Sequence, residues 1–151
     1  MGYEIRRLTS DLIFVRWNSI ATEEEGFHYV NELRHIMEES PHKLYFISDL
    51  RKGYIENVNV LHRLGALTKS EQFGGGTAFS HQFSASLFVG VFARLARRFS
   101  RTDQFYNTFS EAIAFLEKLK PGVTQGIDWQ AILNAPISIP PQSQAKESSQ
   151  G

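Results

Sequence analysis

Leu44-Tyr45-Phe46-Ile47-Ser48-Asp49-Leu50 is the stretch from which the rest of the chain is read. Leu44 to Ile47 are consecutive apolar or aromatic residues of types that fit a pleated surface. An unbroken apolar run of this length suits a strand covered on both faces, as in a mostly parallel sheet. A buried helical segment would give a similar run, but Pro41 before it and Gly53 after it favour the shorter element. In sheets with parallel strands, ligands and partners tend to meet the loops at the carboxyl ends of the strands. That rule points to Ser48, Asp49, Arg51 and Lys52. A solvated turn in which Asp49 caps the next segment is the alternative.

Working outward, Tyr3 to Leu8 and Leu12 to Trp17 are strand-like runs around Thr9-Ser10-Asp11, the pattern of a tight antiparallel hairpin. Thr22-x-x-Glu25 is a capping box, and Phe27, Val30, Leu33, Ile36 and Met37 then repeat at helical spacing up to Ser40-Pro41. Val58, Leu61, Leu64 and Leu67 mark a second helix, with Gly65 inside it. Gly74-Gly75-Gly76 leads into a strand at Thr77 to His81. Ser84 to Phe99 has the spacing of a third helix with Leu87, Phe88, Val91, Phe92 and Leu95 on its buried face. A short strand at Gln104 to Tyr106 precedes a second capping box, Thr108-x-x-Glu111, and a last helix carried by Ala112, Ile113, Phe115, Leu116 and Leu119. Past Pro121 the character changes. Asp128 to Leu133 suits one loose turn with Trp129 and Ile132 touching the body, and the Pro, Gln and Ser-rich remainder lacks the apolar content to order itself. The expected division is a domain over 1–120 and a flexible tail over 121–151.

The order is therefore β-β-α-β-α-β-α-β-α. Alternation after the opening hairpin predicts an α/β fold with a single mixed sheet whose later strands are parallel. This order resembles the STAS/SpoIIAA-like fold, which is distantly similar to the Sec14 (CRAL-TRIO) lipid-binding domains. The resemblance rests on Leu44 to Leu50 as a central strand ending in Asp-Leu and on the helix through Val58 to Leu67. It rests also on the closing Phe105-Tyr106-Asn107-Thr108-Phe109-Ser110-Glu111-Ala112-Ile113-Ala114-Phe115-Leu116, similar to the ending common in SpoIIAA-like proteins. It implies a binding or regulatory domain whose loop and helix after the central strand face a partner. In anti-sigma-factor antagonists of that fold a phosphorylated Ser preceded by Asp begins the helix. Here Glu56-Asn57 stands roughly at that place and no Ser or Thr lies between Arg51 and Leu67, so the phospho-switch is not expected.

Composition narrows the choice. Lys plus Arg and Asp plus Glu both number 16, which argues against a general nucleic-acid or membrane-surface role. There is no cysteine, so disulfides, thiol chemistry and Cys-ligated metals are excluded. Hydrophobic residues at 42% suit a globular body, no apolar run approaches membrane-spanning length, and Met1 to Ser10 is too charged for a secretory signal. A cytoplasmic protein is expected.

Other constellations carry less. His28 and His35 stand two helical turns apart, about 10 Å, too far for one metal ion to take both. His42, His62 and His81 have no ligand spacing. The glycine triplet lacks the Lys-Ser/Thr ending of a phosphate loop and precedes a strand, which suits a lip or bulge near the central strand's loop. Arg94, Arg97, Arg98 and Arg101 share a helix face, either as solvated cations or as a patch for an acidic partner or anion. Ser48 or Ser80 with His81 is the weakest thread, a hydrolase site, and no Gly-x-Ser-x-Gly elbow is present.

The expectation is thus a non-catalytic regulatory or protein-interaction domain with no cofactor. Ser48, Asp49, Arg51, Lys52, Glu56 and Asn57 would meet a protein partner, and a homodimer is compatible with the small domain. The alternative is a small apolar-ligand or lipid-binding protein of Sec14-like type, with a cavity beside Phe79, Phe88 and Phe92.

Overall fold

A computed structural model describes residues 2–82 and 103–135. The helix expected over 84–99, with Arg94, Arg97, Arg98 and Arg101, lies outside the described residues, as do Phe88, Phe92 and residues 136–151.

Five strands form one sheet in the order β1 (Tyr3–Arg7), β2 (Leu12–Trp17), β3 (Leu44–Asp49), β4 (Phe73–Phe79), β5 (Asp103–Tyr106). β1 and β2 are the antiparallel hairpin, and every later pairing is parallel. The apolar run of 44–50 is therefore the middle strand, and the α/β single mixed sheet read from the sequence is the architecture found. β2 is buried along its whole length, with Ile13, Val15 and Trp17 on one face and Leu12 and Phe14 on the other. A strand covered on both faces has no polar alternation to show.

One face is covered by α1 (Glu23–Glu38) and α2 (Val58–Leu67). Thr22 and Glu25 form the reciprocal capping box that starts α1. α1 and α2 come close because Gly26 has no side chain; a Cβ there would stand 2.7 Å from both γ-methyls of Val60. Leu12, Phe14, Ile47 and Phe79 on the opposite face pack against α3 (Phe109–Leu119) and α4 (Trp129–Asn134).

Two sequence expectations need correction here. The strand after the second helix begins at Phe73 and contains the glycine triplet, where the ladder between β3 and β4 shifts register at Leu44/Tyr45. The triplet is a bulge, but at the starting end of β3 and so remote from its carboxyl-end loop. A Cβ on Gly74 would stand 2.6 Å from Tyr45 Cζ, so this glycine makes room for the Tyr45 ring. Second, position 121 does not divide body from tail. Val123 and Ile132 are buried with Leu12, Phe14 and Leu116, and the Trp129 ring lies 5.2 Å from that of Phe109 and 6.5 Å from that of Phe14. The expected contacts of Trp129 and Ile132 with the body are joined by Val123, Ile127 and Leu133, five apolar groups over eleven residues that dock the segment. No helix among the described residues is long and apolar enough to cross a membrane.

Candidate functional site

The carboxyl ends of β2 and β3 carry the polar groups of the site. Parallel pairing sets Arg16 directly opposite Asp49, and both side chains point to the face covered by α3 and α4. Arg16 Nε donates to Asp49 Oδ2 at 3.2 Å with both groups buried, Asp49 being only 2% exposed. Arg51 closes the other side. Its backbone N–H donates to Asp49 Oδ1 at 3.1 Å, its Nε to the same oxygen at 2.9 Å and its Nη2 to Oδ2 at 2.8 Å. The hydrogen bonds to Asp49 raise the affinity of Arg51 for its proton.

Two guanidinium groups share one carboxylate, so an excess positive charge must be balanced locally. The end of α4 supplies that balance. Arg16 donates Nη1 to the Ala135 carbonyl and Nη2 to the Ile132 carbonyl, and Arg51 Nη2 donates to the Leu133 carbonyl at 2.8 Å. The last carbonyls of a helix lack partners within it and carry its negative end, so they suit cations. The rings of Phe14 and Phe79 lie 5.3 Å and 5.8 Å from the Arg16 and Arg51 carbons respectively.

This geometry changes the role that the sequence suggests for Asp49. It does not face solvent, and both its oxygens are occupied, so it fastens β2, β3 and α4 together. Arg51 is a partner in the same cluster, its side chain 34% exposed. Ser48 points to the opposite face, where it hydrogen-bonds Tyr29; burial pushes the Tyr29 hydroxyl well above its ordinary range. Ser48 and Asp49 are therefore separated by the sheet itself.

Lys52 and Glu56 do face solvent. Between them Tyr54 and Ile55 are buried, and the Tyr54 carbonyl accepts from the Ala21 N–H at 3.0 Å. Gly53 passes so close to the Ser19 backbone that any Cβ would collide with it. Asn57 caps α2, accepting from the Val60 N–H at 3.0 Å, and donates to Glu23 Oε2 at 2.9 Å. The loops after β2 and β3 thus interlock and form one rigid rim. Ile20 and Val58 stand on that rim at 47% and 55% exposure.

The remaining threads separate. Ser80 is buried, its Oγ accepting from the Gln82 N–H at 3.1 Å, while His81 is exposed. Phe79 is buried and packs edge-on against Phe109 at 5.4 Å, so the space at its ring is filled by side chain. Among the described residues no three His, Asp or Glu side chains converge as a metal site. Sequence reading missed Arg16, Ile20, Val58 and the α4 carbonyls. For Arg16 a signal existed: a lone cation inside Leu-Ile-Phe-Val-Arg-Trp needs a buried partner.

A solved structure of an uncharacterized DUF3478-family protein with a SpoIIAA-like fold, from Shewanella loihica PV-4, is similar to this chain. The TM-score is 0.51 at 13% identity, covering 76% of this chain and 91% of that one. At that identity the likeness speaks for the fold, which is SpoIIAA-like. No protein-family model matches the sequence, and no curated protein matches it.

Proposed function

We propose that the chain is a non-catalytic regulatory or protein-interaction domain of the STAS/SpoIIAA-like kind, and that it meets a protein partner on the rim formed by residues 18–22 and 50–58. The observation that carries this reading is the division of labour at the strand ends. The ionic groups best suited to chemistry, Arg16, Asp49 and Arg51, are bound to one another and to α4. The rim beside them is held rigid by Gly53, Tyr54 and Asn57, and it turns Lys52, Glu56, Ile20 and Val58 outward. Exposed apolar side chains ringed by charge on a rigid support are the ordinary makings of a recognition surface.

The test compares affinity purification with the intact chain and with the Lys52→Glu and Val58→Asp variants, all three verified by thermal melts. A partner retained by the parent and lost from both variants supports the reading. A partner retained equally by all three removes the rim from consideration, and turnover of a substrate by the purified chain would end the non-catalytic assignment.

A further inference from the structure

Along the sequence the histidine nearest to His28 is His35, two helical turns away. The fold brings His28 two other donors. Glu32 stands one turn further along α1, its Oε1 2.9 Å from His28 Nδ1. Tyr3 comes from β1, its hydroxyl 2.6 Å from the same nitrogen and hydrogen-bonded to the same Glu32 oxygen. One nitrogen and two oxygens thus converge from a strand and a helix. The Tyr3 ring is fixed, being buried and packed against Trp17 and Tyr29 with centroids 4.8 Å and 5.4 Å away. The His28 and Glu32 side chains are 51% and 44% exposed, so the outer side of the cluster is open to an incoming ion. The local field is negative. Burial foremost, then the Glu32 carboxylate, push the Tyr3 hydroxyl well above its ordinary range, and Glu25 adds to the same field.

We propose that Tyr3, His28 and Glu32 form a site for a divalent first-row metal ion with a tetragonal or octahedral shell, such as Cu²⁺ or Ni²⁺. Donors held about 2.1 Å from one ion at right angles stand about 3 Å apart, against about 3.4 Å around a tetrahedral ion. The separations of 2.6 Å and 2.9 Å at His28 Nδ1 are nearer the right-angled arrangement. Two ligands one turn apart on a helix face reach a single ion, and the strand supplies the third. On binding, the Tyr3 O–H bond breaks, the proton leaves to solvent and the phenolate oxygen takes the ion. His28 binds through Nδ1 as neutral imidazole. The carboxylate and the phenolate then match the double charge of the ion, and water fills its remaining positions. None of the three residues belongs to the rim, so the site stands apart from the partner reading.

The test is titration of the chelator-treated full chain with Cu²⁺ and with Ni²⁺, followed by calorimetry, visible absorption and thermal melts. Saturable binding is expected, with a raised melting temperature because the ion ties β1 to α1. Cu²⁺ should also give a phenolate-to-copper charge-transfer band. His28→Ala and Glu32→Gln should each weaken binding about a hundredfold or more, a first ligand being worth at least as much as its supporting groups. Tyr3→Phe keeps the buried ring; it should lose the band and bind about tenfold or more weakly. His35→Ala, on the same helix, should leave affinity and band unchanged. Melts of the metal-free variants confirm that each is folded. Absence of saturable binding would show that the three groups serve only as a hydrogen-bonded clasp between β1 and α1, and would overturn the proposal. So would an affinity that survives His28→Ala or Glu32→Gln, or an affinity and absorption that Tyr3→Phe does not change.

Discussion

Arg16 and Asp49, 33 residues apart in sequence, face each other across β2 and β3 with a 3.2 Å ion pair sealed inside the body. Their pairing joins the opening hairpin to the middle strand, and the remaining Arg16 donors reach the end of α4. Removing the carboxylate leaves the buried Arg16 guanidinium with carbonyl partners alone and no counter-charge. Asp49→Ala is therefore expected to lower unfolding free energy by about 3–5 kcal/mol in urea titrations. Arg16→Met combined with Asp49→Leu should recover part of that loss. The recovery is partial because Arg16→Met also removes the donors to the Ala135 and Ile132 carbonyls, leaving Ile132 only the Ala135 N–H at 3.3 Å. If Asp49→Ala melts like the parent, the cluster is not structural.

Gly53 gives a second, purely steric prediction. Its Cα lies against the Ser19 backbone, which cannot rotate aside as a side chain end would. Gly53→Ala is expected to cost about 3 kcal/mol or more, because relief requires moving one of the two interlocked loops. Gly126 makes the control. It has φ +74° with nothing near its missing Cβ, so Gly126→Ala meets only the left-handed backbone cost, about 1–2 kcal/mol. Equal destabilisation of the two variants would contradict the interlock.

These two cases also show what is legible in the sequence and what is not. The middle strand at 44–49, the hairpin and the capped helices are legible because local signals set them: an apolar run, a polar turn, Thr-x-x-Glu. The candidate site is half legible. Lys52 and Glu56 follow a strand and face solvent as expected. The burial of Asp49 depends on Arg16, and that partner is fixed by the strand register, which no local pattern around either residue reveals. The docking of 121–135 is likewise a tertiary fact. Contact by Trp129 and Ile132 is legible from their spacing, whereas Val123 joins them as a face only once Leu12, Phe14 and Leu116 are assembled.

Glu117 ties the end of α3 to the segment that follows it. It accepts the N–H groups of Gly122 and Thr124, both at 2.8 Å, and the Thr124 hydroxyl. The Thr124 hydroxyl foremost, then the two amides, hold its carboxyl at about 2, down from an ordinary 4.5. A depressed value means that the unfolded chain takes up the proton first as the pH falls. The stabilisation is complete above 4.5 and disappears progressively as the pH drops toward about 2. The Trp129 indole, which donates to the Thr124 carbonyl at 3.2 Å, is the natural fluorescence reporter. The stability gap between the parent and Glu117→Gln should close through that acid window. A gap that stays constant there would show that the carboxylate charge contributes nothing.

The last prediction concerns whether residues 121–135 are body or appendage. Ile132 is buried from α4 into the cluster around Leu12 and Phe14, and its carbonyl accepts from Arg16. Truncating it removes apolar contacts from a packed site while leaving the backbone carbonyl in place, so the effect isolates packing from the ionic cluster. Ile132→Ala is expected to destabilise the whole domain by about 2–5 kcal/mol, seen as one cooperative transition by far-ultraviolet dichroism and by Trp fluorescence together. Were the segment merely resting on the surface, the fluorescence of Trp129 would change first and the dichroism transition would not move. Coincident, shifted transitions would place the C-terminal segment within the same folding unit as the sheet, as the sharing of its carbonyls with Arg16 and Arg51 requires.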